Sequence, residues 1–340
     1  MSFTLDYHLQ ELQFKHPFSV AGNTRNHTPS VLIILKYENF TGYGEVTMPP
    51  YLGETPSSAI TFLKKVSFSG ITTSTAIAEF HHYIDSLDTG NNAAKAGLDI
   101  AFHDLLSKRR NVDICSLYSL PNEKKASSFT IGLDTPQVML EKTSEAEELG
   151  FHVLKVKLGG LNDRETMRLI SDFWKKPISV DANQGWKDAS WSLDFCHELK
   201  EMGVLFVEQP FEKNDLKSAE WLTSRSPLPI IADESCKRFS DLDVVKNCFH
   251  GINVKLMKST GLFEAYKMLQ FAKNNQMKTV TGCMAESSCA VAAMSHFAAL
   301  ADWVDLDGPF LITNDPFEPV KLIEGCIQVP RKIGIGVELL

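Results

Sequence analysis

Apolar positions follow two rhythms along the chain. Near the start, Ser30-Val31-Leu32-Ile33-Ile34-Leu35 and the glycine-rich Thr41-Gly42-Tyr43-Gly44-Glu45-Val46 read as two strands joined in a hairpin. From Asn92 to Lys108, the residues Ala94, Leu98, Ala101, Phe102 and Leu105 recur at helical spacing, which predicts an amphipathic helix. After residue 125 short runs rich in Val and Ile alternate with helical stretches, at 128–133, 153–158, 178–182, 205–209, 230–234, 252–257, 279–283 and 303–307. These runs recur at about every 25 residues, room for one strand, one helix and two short loops, so an α/β fold with a (β/α)8 (TIM-type) barrel is the economical expectation. The expected division is an α+β capping domain over 1–125, the barrel over 126–314, and a segment over 315–340 that packs back on the capping domain. A doubly wound open sheet would alternate in the same way, but no G-x-G-x-x-G or G-x-x-x-x-G-K-[ST] follows any run.

Composition narrows the partners. With 340 residues and 44% hydrophobic positions the chain can bury a large core, and a net charge of −8 supplies no positive field for nucleic acid or an anionic membrane. The seven cysteines are an odd number without a C-x-x-C pair, which points to reduced thiols and a cytoplasmic protein rather than a disulfide framework or structural zinc. No leader pattern opens the chain and no apolar run approaches the ~18 residues of a membrane span, so no membrane partner is expected. A homo-oligomer is left open.

Ionisable residues end almost every run. Lys155 and Lys157 end the second, Asp181 the third, Glu208 the fourth, Asp233 the fifth, Lys255 lies in the sixth, and Asp305 and Asp307 end the eighth. In a parallel barrel these ends converge at the mouth, where active sites form. Asp181, Glu208 and Asp233 sit on three adjacent strands and would repel one another without a cation between them. Hard oxygen donors with no His or Cys nearby favour Mg²⁺, which keeps positions open for water or a substrate carboxylate. A set of salt bridges to the lysines is the structural alternative.

Lys155 and Lys157, two apart, share one face of their strand, and strands two and six of an eight-membered ring are opposed, so Lys157 and Lys255 approach the cation from opposite flanks. A neighbouring ammonium, Mg²⁺ and partial desolvation are expected to lower a lysine pKa toward neutrality. Mg²⁺ on a carboxylate also acidifies the α-proton by stabilising the enediolate. Two opposed bases predict proton removal on one face and return on the other, which inverts a stereocentre.

The set Lys155-x-Lys157, Asp181-Ala182-Asn183, Glu208-Gln209-Pro210, Asp233-Glu234-Ser235 and Asn253-Val254-Lys255-Leu256-Met257-Lys258 resembles the muconate-lactonising subgroup of the enolase superfamily, over almost the whole chain. The resemblance implies Asp181, Glu208 and Asp233 as Mg²⁺ ligands, Lys157 and Lys255 as acid/base catalysts, and Lys155 as an assistant that touches the substrate carboxylate. Within the subgroup, Asp305-x-Asp307 is similar to the pair with which dipeptide epimerases hold the substrate's α-ammonium, and Thr130 and Cys283 would line the substrate site. In Ala-Glu epimerases of this family an Arg in the loop after the front Pro-Phe pair meets the acidic side chain. Here the corresponding position is Asn23, with Arg25 two residues on. A neutral residue there favours Ala-Ala or hydrophobic dipeptides over Ala-Glu. An o-succinylbenzoate synthase or muconate-type cycloisomerase shares the lysines and metal but leaves Asp305 and Asp307 without an ammonium to bind, and a silent ligand-binding barrel would bind no stoichiometric Mg²⁺.

Overall fold

A computed structural model of the chain describes residues 2–20 and 23–340, without the side chains of Ser19, Val20 and Asn23. The hairpin forms as expected: β2 (Asn23–Tyr37) pairs antiparallel with β3 (Phe40–Thr47), and Glu38 takes a left-handed φ of 55° to make the tight turn. A longer strand, β1 (Thr4–Val20), lies outside β2 and completes a sheet of order β1-β2-β3. The predicted helix spans Asn92–Arg110 and lies against β3 at backbone distance. A Cβ on Gly44 would stand 1.9 Å from the Gly97 carbonyl oxygen, and one on Gly42 2.0 Å from that of Ala101, so only glycine permits this approach.

Eight parallel strands follow: β4 (Ser128–Ile131), β5 (Val153–Lys157), β6 (Ile178–Asp181), β7 (Val204–Glu208), β8 (Ile230–Ala232), β9 (Gly251–Lys255), β10 (Lys278–Gly282) and β11 (Trp303–Asp305). Each hydrogen-bonds to the next, and a parallel bridge between Ser127 and Val304 joins the last to the first, closing the barrel. The floor is apolar. Phe206, Ile231 and Val280 cluster with Trp303, and the Phe206 and Trp303 rings lie 4.6 Å apart across the interior. Two residues further along, on the same face, the interior turns acidic, with Glu208 and Asp305 at the ends of their strands and Asp233 just past the end of β8.

The capping sheet is fastened to the mouth. Phe14 bridges Ile312, Lys15 N–H donates to the Leu311 carbonyl at 2.9 Å, and Thr313 N–H donates to that of Gln13 at 2.9 Å, so the β1–β2 hairpin carries Phe18 and its register partner Arg25 over the barrel opening. After β11, the strands β12 (Lys321–Ile323) and β13 (Cys326–Gln328) form a hairpin whose Cys326 bridges Ala126. Beyond it Gly334 bridges Asp113, and Ile335 N–H donates to Asp104. Among the described residues no helix is long and apolar enough to cross a membrane, and all seven cysteines are free thiols.

Candidate functional site

Strand register brings the charged ends level. Lys157 pairs with Asp181 and Asp181 with Glu208, while on the other side Lys255 pairs with Gly282 and Gly282 with Asp305. Asp181, Glu208 and Asp233 each offer an oxygen within 4.8 Å of the others, and all three are buried. Three buried carboxylates at that spacing repel one another unless positive charge lies among them, part of which buried lysines supply. The donor set is all hard oxygen, and Glu208 Oε2 accepts no hydrogen bond although Lys155 Nζ stands 2.9 Å away. The cluster fits a divalent ion of the Mg²⁺ type.

Each lysine leans on this cluster. Lys157 Nζ donates to Asp181 Oδ2 at 2.6 Å, and Lys255 Nζ to Asp233 Oδ2 at 2.7 Å. Lys155 bridges further, to Glu208 Oε1 at 3.0 Å and Asp305 Oδ2 at 2.8 Å, with Asp181 at 3.4 Å. Burial opposes charge on Lys155 and Lys255, yet Asp305 and Glu208 around the first and Asp233 beside the second outweigh it, and both are held well above the usual lysine range. The carboxylates that raise them lie in direct contact with the amines. Against burial, Lys255 and Lys258 keep Asp233 well below the usual range, whereas burial pushes Glu208 up to about 8.

One cavity of about 200 Å³ joins these groups to the mouth. Lys155, Lys157, Asp233, Lys255, Asp305 and Asp307 line it from the barrel, Cys283, Met284 and Ala285 from the loop after β10, and Phe18, Arg25 and Tyr51 from the capping side. Lys157 and Lys255 reach it from β5 and β9, which stand opposite each other in the ring. Thr130 also lines it, and its N–H donates to Asp307 Oδ2 at 2.6 Å. Burial, with Asp305 adding to it, raises Asp307 to about 7. Asp305 is partly spent, accepting from Ser128 Oγ at 2.6 Å as well as from Lys155. The Cys283 thiol lies 3.9 Å from Asp307 Oδ1. Arg25 is half-buried, its guanidinium 5.7 Å from the centre of the Phe14 ring. The Asn23 side chain lies outside the described residues.

Comparison with known proteins agrees with this geometry. A family model described as "Enolase C-terminal domain-like" matches residues 138–340, and one described as "Mandelate racemase / muconate lactonizing enzyme, N-terminal domain" matches residues 6–118. The chain belongs to this family of the enolase superfamily. Among curated members, the L-Ala-D/L-Glu epimerase of Bacteroides thetaiotaomicron is 46% identical, over 96% of this chain and 85% of its own length. The hydrophobic dipeptide epimerase of Enterococcus faecalis is 30% identical over 96% of each chain. A crystal structure of an Enterococcus faecalis dipeptide epimerase with Mg and the dipeptide L-Leu-L-Tyr superposes with a TM-score of 0.91 at 28% identity, covering 99% of this chain and 100% of that one.

Within this site, sequence reasoning passed over three contributors. Asn253 donates from Nδ2 to Glu208 Oε1 at 2.9 Å. Lys258, fully buried, donates to Asp233 Oδ1 at 2.5 Å, and to the Asp233 and Asn253 carbonyls at 2.7 and 2.9 Å. Their signal was present, since both fall in the Asn253–Lys258 run that contains Lys255. Tyr51, which donates its hydroxyl to Met284 Sδ at 2.6 Å, carries no such local signal.

Proposed function

We propose that this chain is a Mg²⁺-dependent dipeptide epimerase, in which Lys157 and Lys255 exchange the α-proton of the C-terminal residue from opposite faces. The observation that carries it is the placement of two lysines, from opposed strands, in one cavity beside a three-carboxylate cluster. Asp181, Glu208 and Asp233 would hold the ion. Bound there, Mg²⁺ would supply positive charge for the substrate carboxylate and offset the carboxylate charge that otherwise favours the ammonium form of Lys155 and Lys255.

The chain's own groups do the rest. One lysine, as the free amine, takes the α-proton. The electrons of that C–H bond pass into the carboxylate, and the opposed lysine, as the ammonium, delivers its proton to the other face. Lys155 orients the carboxylate between them. Asp307, with Asp305 behind it, receives the substrate's α-ammonium, a cation that neither an o-succinylbenzoate synthase nor a cycloisomerase substrate carries. The free thiols agree with a cytoplasmic setting.

Incubation of the protein with Mg²⁺ and L-Ala-L-Ala in D₂O tests the reading. One deuterium is expected at the C-terminal Cα, together with the L-Ala-D-Ala product. A dipeptide panel that gains no mass would overturn it.

Phe18, Met284 and Leu311 give the cavity an apolar wall suited to Ala-Ala and hydrophobic dipeptides. A second reading, an acidic C-terminal residue, is favoured by Arg25, which lines the same cavity. A charge-assisted contact of this kind is worth about 1.5–3 kcal/mol. If Arg25 meets the substrate, Arg25→Ala raises KM for L-Ala-L-Glu roughly 10- to 100-fold and leaves L-Ala-L-Ala nearly unchanged. Equal, small effects on both substrates would leave the apolar preference standing alone.

A further inference from the structure

Near its end the capping strand β3 carries a carboxylate that the proposed chemistry does not use. Glu45 is completely buried, yet it reaches out of the capping sheet into the barrel. Its Oε1 accepts from Ser287 N–H at 2.9 Å and Thr47 Oγ1 at 3.1 Å; its Oε2 accepts from Ser287 Oγ at 2.5 Å and Ala290 N–H at 3.3 Å. Two of the four partners are backbone N–H groups that can only donate, and they and the Ser287 hydroxyl oppose the burial that pushes the Glu45 carboxyl above its usual range. Three of the four donor atoms belong to one place, the start of the helix Ser288–Ser295 and its N-cap Ser287.

That place matters for what it adjoins. Ser287 directly follows Cys283-Met284-Ala285-Glu286, and the first three of these residues form one wall of the substrate cavity. Behind this wall the packing is tight at Gly308, where a Cβ would stand 2.8 Å from both Glu286 N and the Met284 carbonyl oxygen. In front, Tyr51 touches Met284. The segment is therefore gripped at its far end by Glu45, and Glu45 is itself held by the glycine contact of β3 with the Asn92–Arg110 helix. Two residues along β3, Thr47 N–H lies 3.4 Å from Met257 Sδ, in the run that bears Lys255 and Lys258. The end of β3 thus touches both the segment that follows Met284 and the one that follows Lys255.

We infer that Glu45 is a positioning residue, which fixes the Cys283–Glu286 wall against the substrate from the capping domain. The inference rests on the dipeptide-epimerase reading and adds a specific residue to it. An unmade bond to a buried charged acceptor disturbs its neighbours strongly, and a displacement of the wall weakens substrate binding while leaving the lysines, the acid cluster and the proton path in place.

The test measures kcat and KM for L-Ala-L-Ala, Mg²⁺ binding by calorimetry, and Tm, for the wild type, Glu45→Gln, Ser287→Ala and the double variant. Glutamine keeps the shape but loses one of the two acceptor oxygens. Glu45→Gln is expected to raise KM at least tenfold, with kcat within threefold and Mg²⁺ affinity unchanged. Ser287→Ala, which keeps its N–H, is expected to raise KM about threefold, and the double variant to be no worse than Glu45→Gln alone. A KM within twofold of wild type in Glu45→Gln, or a fall in Tm with kcat and KM scaling together, overturns the inference. Should Glu45→Gln fail to fold, Ser287→Ala decides in the same way, by whether its KM moves. A wild type that does not epimerise the dipeptide overturns the functional reading, whereas an active wild type with an indifferent Glu45 overturns only this inference.

Discussion

Asp233→Asn is expected to take α-proton exchange to background, a loss of at least about 10³-fold. The carboxylate has three duties. It is one corner of the acid cluster, it holds Lys255 at 2.7 Å, and it holds Lys258 at 2.5 Å. Asparagine keeps the volume but removes the charge, so the cluster binds a divalent ion less well and two buried ammonium groups lose their counter-ion. Leaving a buried charge unpaired costs about 3–5 kcal/mol, so Tm falls as well. Activity loss therefore has to be read on the folded fraction. Circular dichroism fixes that fraction and calorimetric titration with Mg²⁺ reports the site. A folded Asp233→Asn protein that binds Mg²⁺ at wild-type strength would remove Asp233 from the ligand set, whatever its activity.

The second large effect separates the two lysines. Lys157→Ala and Lys255→Ala should each stop epimerisation, by about 10³-fold or more, because inversion needs one group on each face. They should not be equally silent in every assay. The remaining lysine still faces one side of Cα, so each variant is expected to exchange deuterium into one stereoisomer of the C-terminal residue and not the other, with opposite preference in the two variants. Mass spectrometry of L-Ala-L-Ala and L-Ala-D-Ala incubated separately in D₂O reads this directly. If both variants exchange the same stereoisomer, the amines stand on one side and the two-face scheme fails.

The barrel was legible because its signal is periodic. Parallel strands place their C-terminal ends at one rim, so a charge recurring at about 25 residues becomes a ring in space, and Lys157, Asp181, Glu208, Asp233 and Lys255 could be assembled without coordinates. What escaped depends on contacts that no local period encodes. β1 was missed because it is an edge strand with an alternating pattern too exposed to stand out, Leu9 being 58% exposed. Tyr51 meets Met284, and Glu45 meets Ser287, across more than two hundred residues of sequence. The engagement of Asp305 by Lys155 also eluded the sequence, because the two lie 150 residues apart, on the last and the second strands of the barrel. A single ammonium spans the interval, touching Asp305 and Glu208 at once.

The aromatic floor has a consequence for traffic. With Phe206 and Trp303 packed together at the bottom of the barrel, the substrate cavity faces the mouth, where Phe18 and Arg25 of the capping hairpin line it. In the proposed epimerisation, reactant and product differ only in the handedness of a single carbon. As for any catalyst, the balance between them is set by their own free energies in solution and by whatever drains one of them away.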